Sequence, residues 1–338
     1  MKAYTLSSGA GIAELRLGER PQQPLGAHDV RVAIRAAALN SRDLQFARGV
    51  YSDPPDHAIV PLGDGVGEVT EIGASVTRFL PGDRVITTYW PDWISGEGSP
   101  EKTTVSYGAQ IDGTLAEELV ADEEGLVRAP EGLGDAAAAS IPCAGVTAWN
   151  GLFVQGAAKP GSTVLIQGTG GVAIWALQLA HAAGLFPIAT SSSDEKLGRA
   201  EALGARALIN YRKTPEWQDE VVRLTDGRGV DLVLEVGGVD TLARSVAAAA
   251  FGGSVIVIGG LSGFGGTSIS PGSLIGGMKR LAGVKVGSRS TTEDLVRFLD
   301  VSGIEPVIDR EFGFSEARAA YEHLEAGRAI GKTIVNID

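Results

Sequence analysis

A cluster of glycines lies where a chain would need them to hold a pyrophosphate. Gly168-Thr169-Gly170-Gly171-Val172-Ala173 follows the apolar stretch TVLIQ (residues 163–167) and opens the run VAIWALQLAHAA. Glycine permits a tight turn and a close backbone approach. The start of the next helix then offers free N–H groups and the positive end of its dipole to an anion. In a chain with 47 glycines a lone pattern carries little weight, but this one has a strand-like run before it and a helical run after it. The spacing predicts a dinucleotide site at Gly168, Thr169, Gly170, Gly171 and Val172, against the plainer reading of a glycine turn with no ligand.

The next strand decides which dinucleotide. An NAD site wants a carboxylate at that strand's end, to accept from the ribose 2′-hydroxyl. Here PIAT runs into Ser191-Ser192-Ser193-Asp194-Glu195-Lys196, so serine holds the strand end, three residues before any acid. Hydroxyls and Lys196 donate to a 2′-phosphate, which a carboxylate would repel. Ser193 or Asp194 also suits a helix N-cap, with Lys196 merely solvated. The two readings are compatible, and NADPH is the expected cofactor.

Bulk properties bound what can surround this loop. The 338 residues suit two domains, and 44% hydrophobic with 21% charged residues describes a globular chain. A formal net charge of −12 argues against non-specific binding to nucleic acid or an anionic membrane. Residues 1–6 read as a strand rather than a leader, and no run of 18 apolar residues occurs. Cys143 is the only cysteine, which excludes an intrachain disulfide and any four-cysteine zinc site. A cytoplasmic protein is expected.

Residues 1–120 carry strand patterns at 30–38, 66–72 and 84–88 without helices between them, as in an antiparallel or barrel-like unit. After residue 136 the rhythm changes. Helical runs at 136–140, 146–154, 172–183, 195–203, 217–225 and 242–249 alternate with strands at 163–167, 187–190, 207–210, 232–236 and 254–258. That is the βαβ order of a doubly wound parallel sheet. A helix near 292–301 and a last strand at 332–337 suggest a return to the first domain. The expected fold is α/β, with a Rossmann domain over 126–299 inserted into a β-rich domain made of 1–125 and 300–338.

Several ordered motifs together resemble the medium-chain dehydrogenase/reductase superfamily. They are Ala38-Leu39-Asn40-Ser41-Arg42-Asp43, Gly63-Asp64-Gly65-Val66-Gly67-Glu68-Val69, Pro81-Gly82-Asp83-Arg84-Val85, Cys143-Ala144-Gly145-Val146-Thr147-Ala148-Trp149, the glycine loop, and Gly331-Lys332-Thr333-Ile334-Val335. The resemblance covers nearly the whole chain and implies that the β-rich domain is GroES-like. Zinc-dependent members carry three catalytic ligands. Asn40 and Gly63 fall where a cysteine and a histidine are expected, and only Cys143 remains. Residues 90–112 lack the cysteines of the structural zinc loop, and His28, His57, His181 and His323 have no metal-like spacing. No metal is expected.

The chain is thus similar to the zinc-free branch of quinone oxidoreductases, enone and enoyl reductases, and zinc-free alcohol dehydrogenases. In that branch the resemblance puts Asn40 and Thr147 near the nicotinamide, and Gly49-Val50-Tyr51 supplies a tyrosine at the cleft. It also puts Tyr211, Arg212 and Lys332 near the adenine ribose or nicotinamide, and Gly237, Gly259, Leu261, Ser288 and Arg289 complete the expected cofactor contacts. The implied reaction is NADPH-dependent hydride transfer to an α,β-unsaturated carbonyl or a quinone. The alternatives are a zinc-free alcohol dehydrogenase or carbonyl reductase, and a non-catalytic NADPH-binding protein. Tyr51 suits a proton donor or an aromatic over a surface turn, and Asn40 a site donor or a buried amide bonded to backbone. Arg42 and Asp43 read as a structural ion pair, Cys143 as a small buried hydrophobe, and Trp90 and Trp93 as entrance-lining or loop-packing aromatics. Relatives pair sheet edges across a two-fold axis, so a homodimer through residues 254–258 and 285–288, read as strands, is expected.

Overall fold

The computed structural model describes residues 1–51 and 53–337, which form two compact units. One is Met1–Val146 with Val286–Asp338, and the other is Thr147–Lys285. The units change at 146/147 and 285/286, where composition suggested 125/126 and 299/300.

The first unit is built on the long strand Asp29–Leu39, whose alternating residues bury one face. It pairs antiparallel with Asp64–Ile72 along most of its length, and with Glu118–Asp122 at its start. At its end it pairs antiparallel with Lys332–Asn336, so the last strand does return to this unit. Leu6, Phe46, Ile59, Leu62, Leu115 and Tyr321 fill the core beside this sheet. The strand Ile308–Gly313 and the helix Ala317–Glu325, which had no clear sequence signal, pack the return in place.

The second unit holds six parallel strands: Thr163–Gln167, Phe186–Ser191, Ala207–Asn210, Val230–Glu235, Ala249–Val257 and Arg280–Gly283. Numbered along the chain, they lie in the order 3-2-1-4-5-6, the doubly wound Rossmann arrangement. The inner strands read as continuous apolar runs because helices cover both faces.

One expected strand is absent. Residues 285–288 form no strand, since Val286 takes a positive φ of 54° and the chain turns into the helix Arg289–Ser302. The edge strand is Arg280–Gly283 instead, which is mostly exposed and therefore lacks the apolar signature of its neighbours.

Glu235 closes the fourth Rossmann strand and is fully buried. Its Oε1 accepts from the N–H groups of Gly237 (2.7 Å) and Gly238 (2.9 Å) and from Thr241 Oγ1 (2.6 Å). Its Oε2 accepts from Gln167 Nε2 at 2.9 Å and from the Ser245 hydroxyl. The carboxylate thus ties the first and fourth strands to the loop that follows. Glu235→Gln keeps the shape but turns an amide N–H₂ toward donors. It is expected to lower the unfolding free energy by about 2–4 kcal/mol in urea denaturation. A loss below about 1 kcal/mol would mean that the loop does not depend on this carboxylate.

Candidate active site

Asn40 lies between the strand Asp29–Leu39 and the helix Ser41–Ala47. Its N–H donates to Asp43 Oδ2 at 2.7 Å, which fixes the helix entry. Because Thr333 pairs with Leu39, the returning strand brings Lys332 beside Asn40. Lys332 Nζ donates to Asn40 Oδ1 at 2.5 Å and to the Leu39 carbonyl at 2.7 Å, and lies 3.7 Å from Asp64 Oδ2. The same Asp64 oxygen accepts from the Cys143 N–H at 3.2 Å. Asn40 Nδ2 has no hydrogen-bond partner of good geometry, although the side chain still helps to hold the Asp64 carboxyl down. The side-chain amide thus accepts from a buried lysine.

Arg42 is also buried. It donates to Ser106 Oγ at 2.9 Å and to the Tyr107 carbonyl, and lies 3.3 Å from Asp43 Oδ1. The expected ion pair with Asp43 is present, but it is one contact among several. The guanidinium carbon lies 4.6 Å from the centre of the Tyr89 ring and 5.7 Å from that of Tyr51. The hydroxyls of these two tyrosines are 3.0 Å apart. Trp90 and Trp93 are largely buried. Trp90 packs edge-on against Tyr89 and Trp93 Nε1 donates to the Gly96 carbonyl, so both hold the loop down.

Burial pushes the carboxyls of Asp43 and Asp64 up, opposed chiefly by Arg42 and Lys332 respectively. Burial, helped by Asp64, raises the Cys143 thiol to about 12, so it stays protonated at neutral pH. Burial alone would depress Arg42, but Tyr89, Asp43 and Tyr51 hold it well above its ordinary value. The Tyr89 phenol is pushed well up by burial.

In the Rossmann unit, Gly168 has a φ of +81°, and Gly170 precedes the helix Gly171–Ala182 without a side-chain cap. A Cβ at Gly168 or Gly170 would meet nothing within 4 Å, so the loop leaves a bare cradle at the helix start. Thr169 is buried there and Val172 half-buried. These residues fit a dinucleotide pyrophosphate. The strand Phe186–Ser191 ends in Ser191, whose Oγ accepts from the Ser193 N–H at 3.4 Å. Ser193 Oγ in turn accepts from the Lys196 N–H at 3.4 Å, capping the helix Asp194–Ala202. Ser192 is half-buried between them. Asp194 is occupied by Lys213 and by Asn210 Nδ2 at 2.6 Å, and the Lys213 bond leads the effects that lower its pKa.

The other expected residues are spread more widely. The N–H of Tyr211 donates to the Ser191 carbonyl at 3.1 Å, and that of Arg212 to Asn210 Oδ1 at 3.0 Å. The Gly237 N–H bonds Glu235, the Gly259 N–H bonds the Glu235 carbonyl at 3.4 Å, and Leu261 is 76% exposed. Thr147 is buried in the turn Val146–Trp149. Ser288 and Arg289 belong to the first unit, where Ser288 caps the helix Arg289–Ser302 and Arg289 pairs with Glu124. Sequence reasoning missed Tyr89, Asp64 and Glu235 as site-shaping residues. Asp64, an acid framed by glycines in an apolar strand, was the one visible hint.

Two family models match the chain: the alcohol dehydrogenase GroES-like domain over residues 26–131 and the zinc-binding dehydrogenase over 171–301. The chain is 39% identical to a zinc-type alcohol dehydrogenase-like protein of Schizosaccharomyces pombe, covering 94% of this chain and 93% of that one. It belongs to the medium-chain dehydrogenase/reductase superfamily. Another member of this superfamily, an acryloyl-coenzyme A reductase of Metallosphaera sedula, is 28% identical over 99% of both chains. A putative alcohol dehydrogenase of Sinorhizobium meliloti 1021 superposes with a TM-score of 0.92 at 40% identity, covering 99% of each chain. The protein is therefore an oxidoreductase of the medium-chain superfamily, with that family's nicotinamide-binding fold.

The zinc in one model's description does not fit the residues present. Gly63 offers no ligand, and a Cβ there would come within 2.7 Å of Arg42 Nη2 and the Tyr107 carbonyl. The histidine position of metal-dependent members is thus filled by a guanidinium. Among the described residues no group of three His, Cys, Asp or Glu side chains is placed to hold a metal. Elemental analysis of the purified protein is expected to find no stoichiometric zinc, and chelators should leave its activity unchanged. A tightly bound zinc in every chain would overturn this.

Proposed function

We propose that the protein is an NADPH-dependent reductase of activated double bonds, with an α,β-unsaturated carbonyl or a quinone as substrate. The observation that carries this reading is the Tyr51 ring beside the buried guanidinium of Arg42, in a unit whose donor set does not suit a metal. Without a Lewis acid, polarising a simple ketone loses several kcal/mol of transition-state help. Conjugate reduction asks less, because the negative charge spreads over an enolate that neutral donors stabilise. A bound nicotinamide supplies the hydride. Tyr51 supplies the proton, Asn40 orients the substrate, and Thr147 in the Rossmann unit orients the nicotinamide. The name of the Metallosphaera relative is in keeping with this substrate class. A second reading, an alcohol dehydrogenase or carbonyl reductase without zinc, is favoured by the names of the two most identical relatives described above.

NADPH is supported by Ser191 at the strand end and by the engagement of Asp194 with Lys213 and Asn210. The purified protein should oxidise NADPH with an α,β-unsaturated ketone or a quinone and leave a saturated aldehyde unreduced. Aldehyde reduction alone would favour the second reading, and no turnover with any of the three a non-catalytic role. Ser192→Asp should weaken NADPH binding by about tenfold or more, through repulsion of the 2′-phosphate, with NADH little changed. Equal or better binding of NADH by the wild type would overturn the cofactor assignment.

The assembly we propose is a homodimer across the Arg280–Gly283 edge. Among the described residues this strand pairs on one side only. Leu281 on it, Ile275 and Met278 just before it in the chain, and Phe251 on the strand paired with it are all exposed. An open edge with apolar side chains is a liability that a symmetric partner removes. Sedimentation should give a dimer at micromolar concentration, and a monomer throughout that range would refute it.

A further inference from the structure

The mechanism above leaves one buried group unused. Tyr89 is 6% exposed, and its hydroxyl lies 3.0 Å from that of Tyr51. Arg42 lies against both rings, its guanidinium carbon 4.6 Å from the centre of Tyr89 and 5.7 Å from that of Tyr51. A guanidinium has only donors, so Arg42 takes no hydrogen from either phenol. The hydrogen of Tyr89 is then free to go to the Tyr51 oxygen. With Tyr89 as the donor, the cation beside its ring polarises that bond toward Tyr51.

We infer that Tyr89 is a positioning residue that donates to Tyr51, turns the Tyr51 proton away from itself, and holds the phenolate left when that proton is given up. This rests on the reading of Tyr51 as the proton donor. In the step, the Tyr51 O–H bond breaks and its proton forms the new bond at the carbon next to the carbonyl. The O–H electron pair stays on the Tyr51 oxygen. The substrate's two reducing electrons arrive as the hydride of NADPH, and water returns a proton to Tyr51. Among the described residues, the charged and titratable groups that act on Tyr89 besides Tyr51 are Arg42, itself bonded to Asp43, and Cys143, which burial keeps as a neutral thiol. Arg42 is the one charge among these, and its sign favours a phenolate.

Three variants test this: Tyr51→Phe, Tyr89→Phe and the double variant, with kcat measured from pH 6 to 11. Tyr51→Phe should lower kcat by roughly 10²–10⁴. Tyr89→Phe should lower it by roughly 10–100-fold at neutral pH. Removing a donor to the charged form disfavours that form, so the alkaline limb of kcat should move up by about one pH unit. Added to Tyr51→Phe, Tyr89→Phe should cost less than about twofold more. If Tyr51→Phe is impaired but Tyr89→Phe keeps both kcat and the alkaline limb, Tyr89 only packs and the inference fails alone. If Tyr51→Phe keeps full kcat, the proton-donor reading falls first and the inference with it.

Discussion

The first unit must bury charge without leaving any of it alone. Asp43 and Asp64 are both within its interior, together with Arg42 and Lys332. An isolated buried carboxylate or ammonium costs far more than a domain can spare, whereas a hydrogen-bonded set of opposite charges is tolerable. Two carboxylates and two cations meet that condition here, and each cation is also bonded to backbone carbonyl oxygen. The helix entry at Asn40, the glycine at position 63 and the placement of the last strand all follow from it. A side chain at Gly63 would displace Arg42, and a last strand shifted by one residue would turn Lys332 to the other face of the sheet.

The Rossmann unit meets a parallel constraint with different chemistry. Its glycine loop leaves the first N–H groups of a helix without a side-chain cap, which suits an incoming anion. On the adjacent strand, Glu235 does the opposite and consumes N–H groups internally, drawing those of Gly237 and Gly238 onto its own carboxylate. One loop is left open for a ligand while its neighbour is closed by the protein.

The parts legible in the sequence were those whose signal is local. The glycine loop declared itself through its flanking strand and helix, and the parallel strands through continuous apolar runs. The resemblance further named Asn40 and Tyr51. What escaped was set by contacts distant in the chain. Tyr89 matters because Tyr51 is 38 residues away, and Asn40 is held by a lysine 292 residues later. The strand expected at 285–288 failed for a backbone reason, a positive φ at a valine, which composition does not report. The true edge strand, Arg280–Gly283, is wetted on both faces and so shows no alternation.

The 292-residue separation of Asn40 and Lys332 also has a meaning in time. At roughly 5–20 residues per second, a ribosome reaches Lys332 about 15–60 s after Asn40. Through that interval the acids of the first unit have Arg42 but lack their second cation. The Rossmann unit, Thr147–Lys285, is contiguous and finishes emerging earlier. The order of synthesis thus favours a Rossmann unit folded before the first unit closes around its charges.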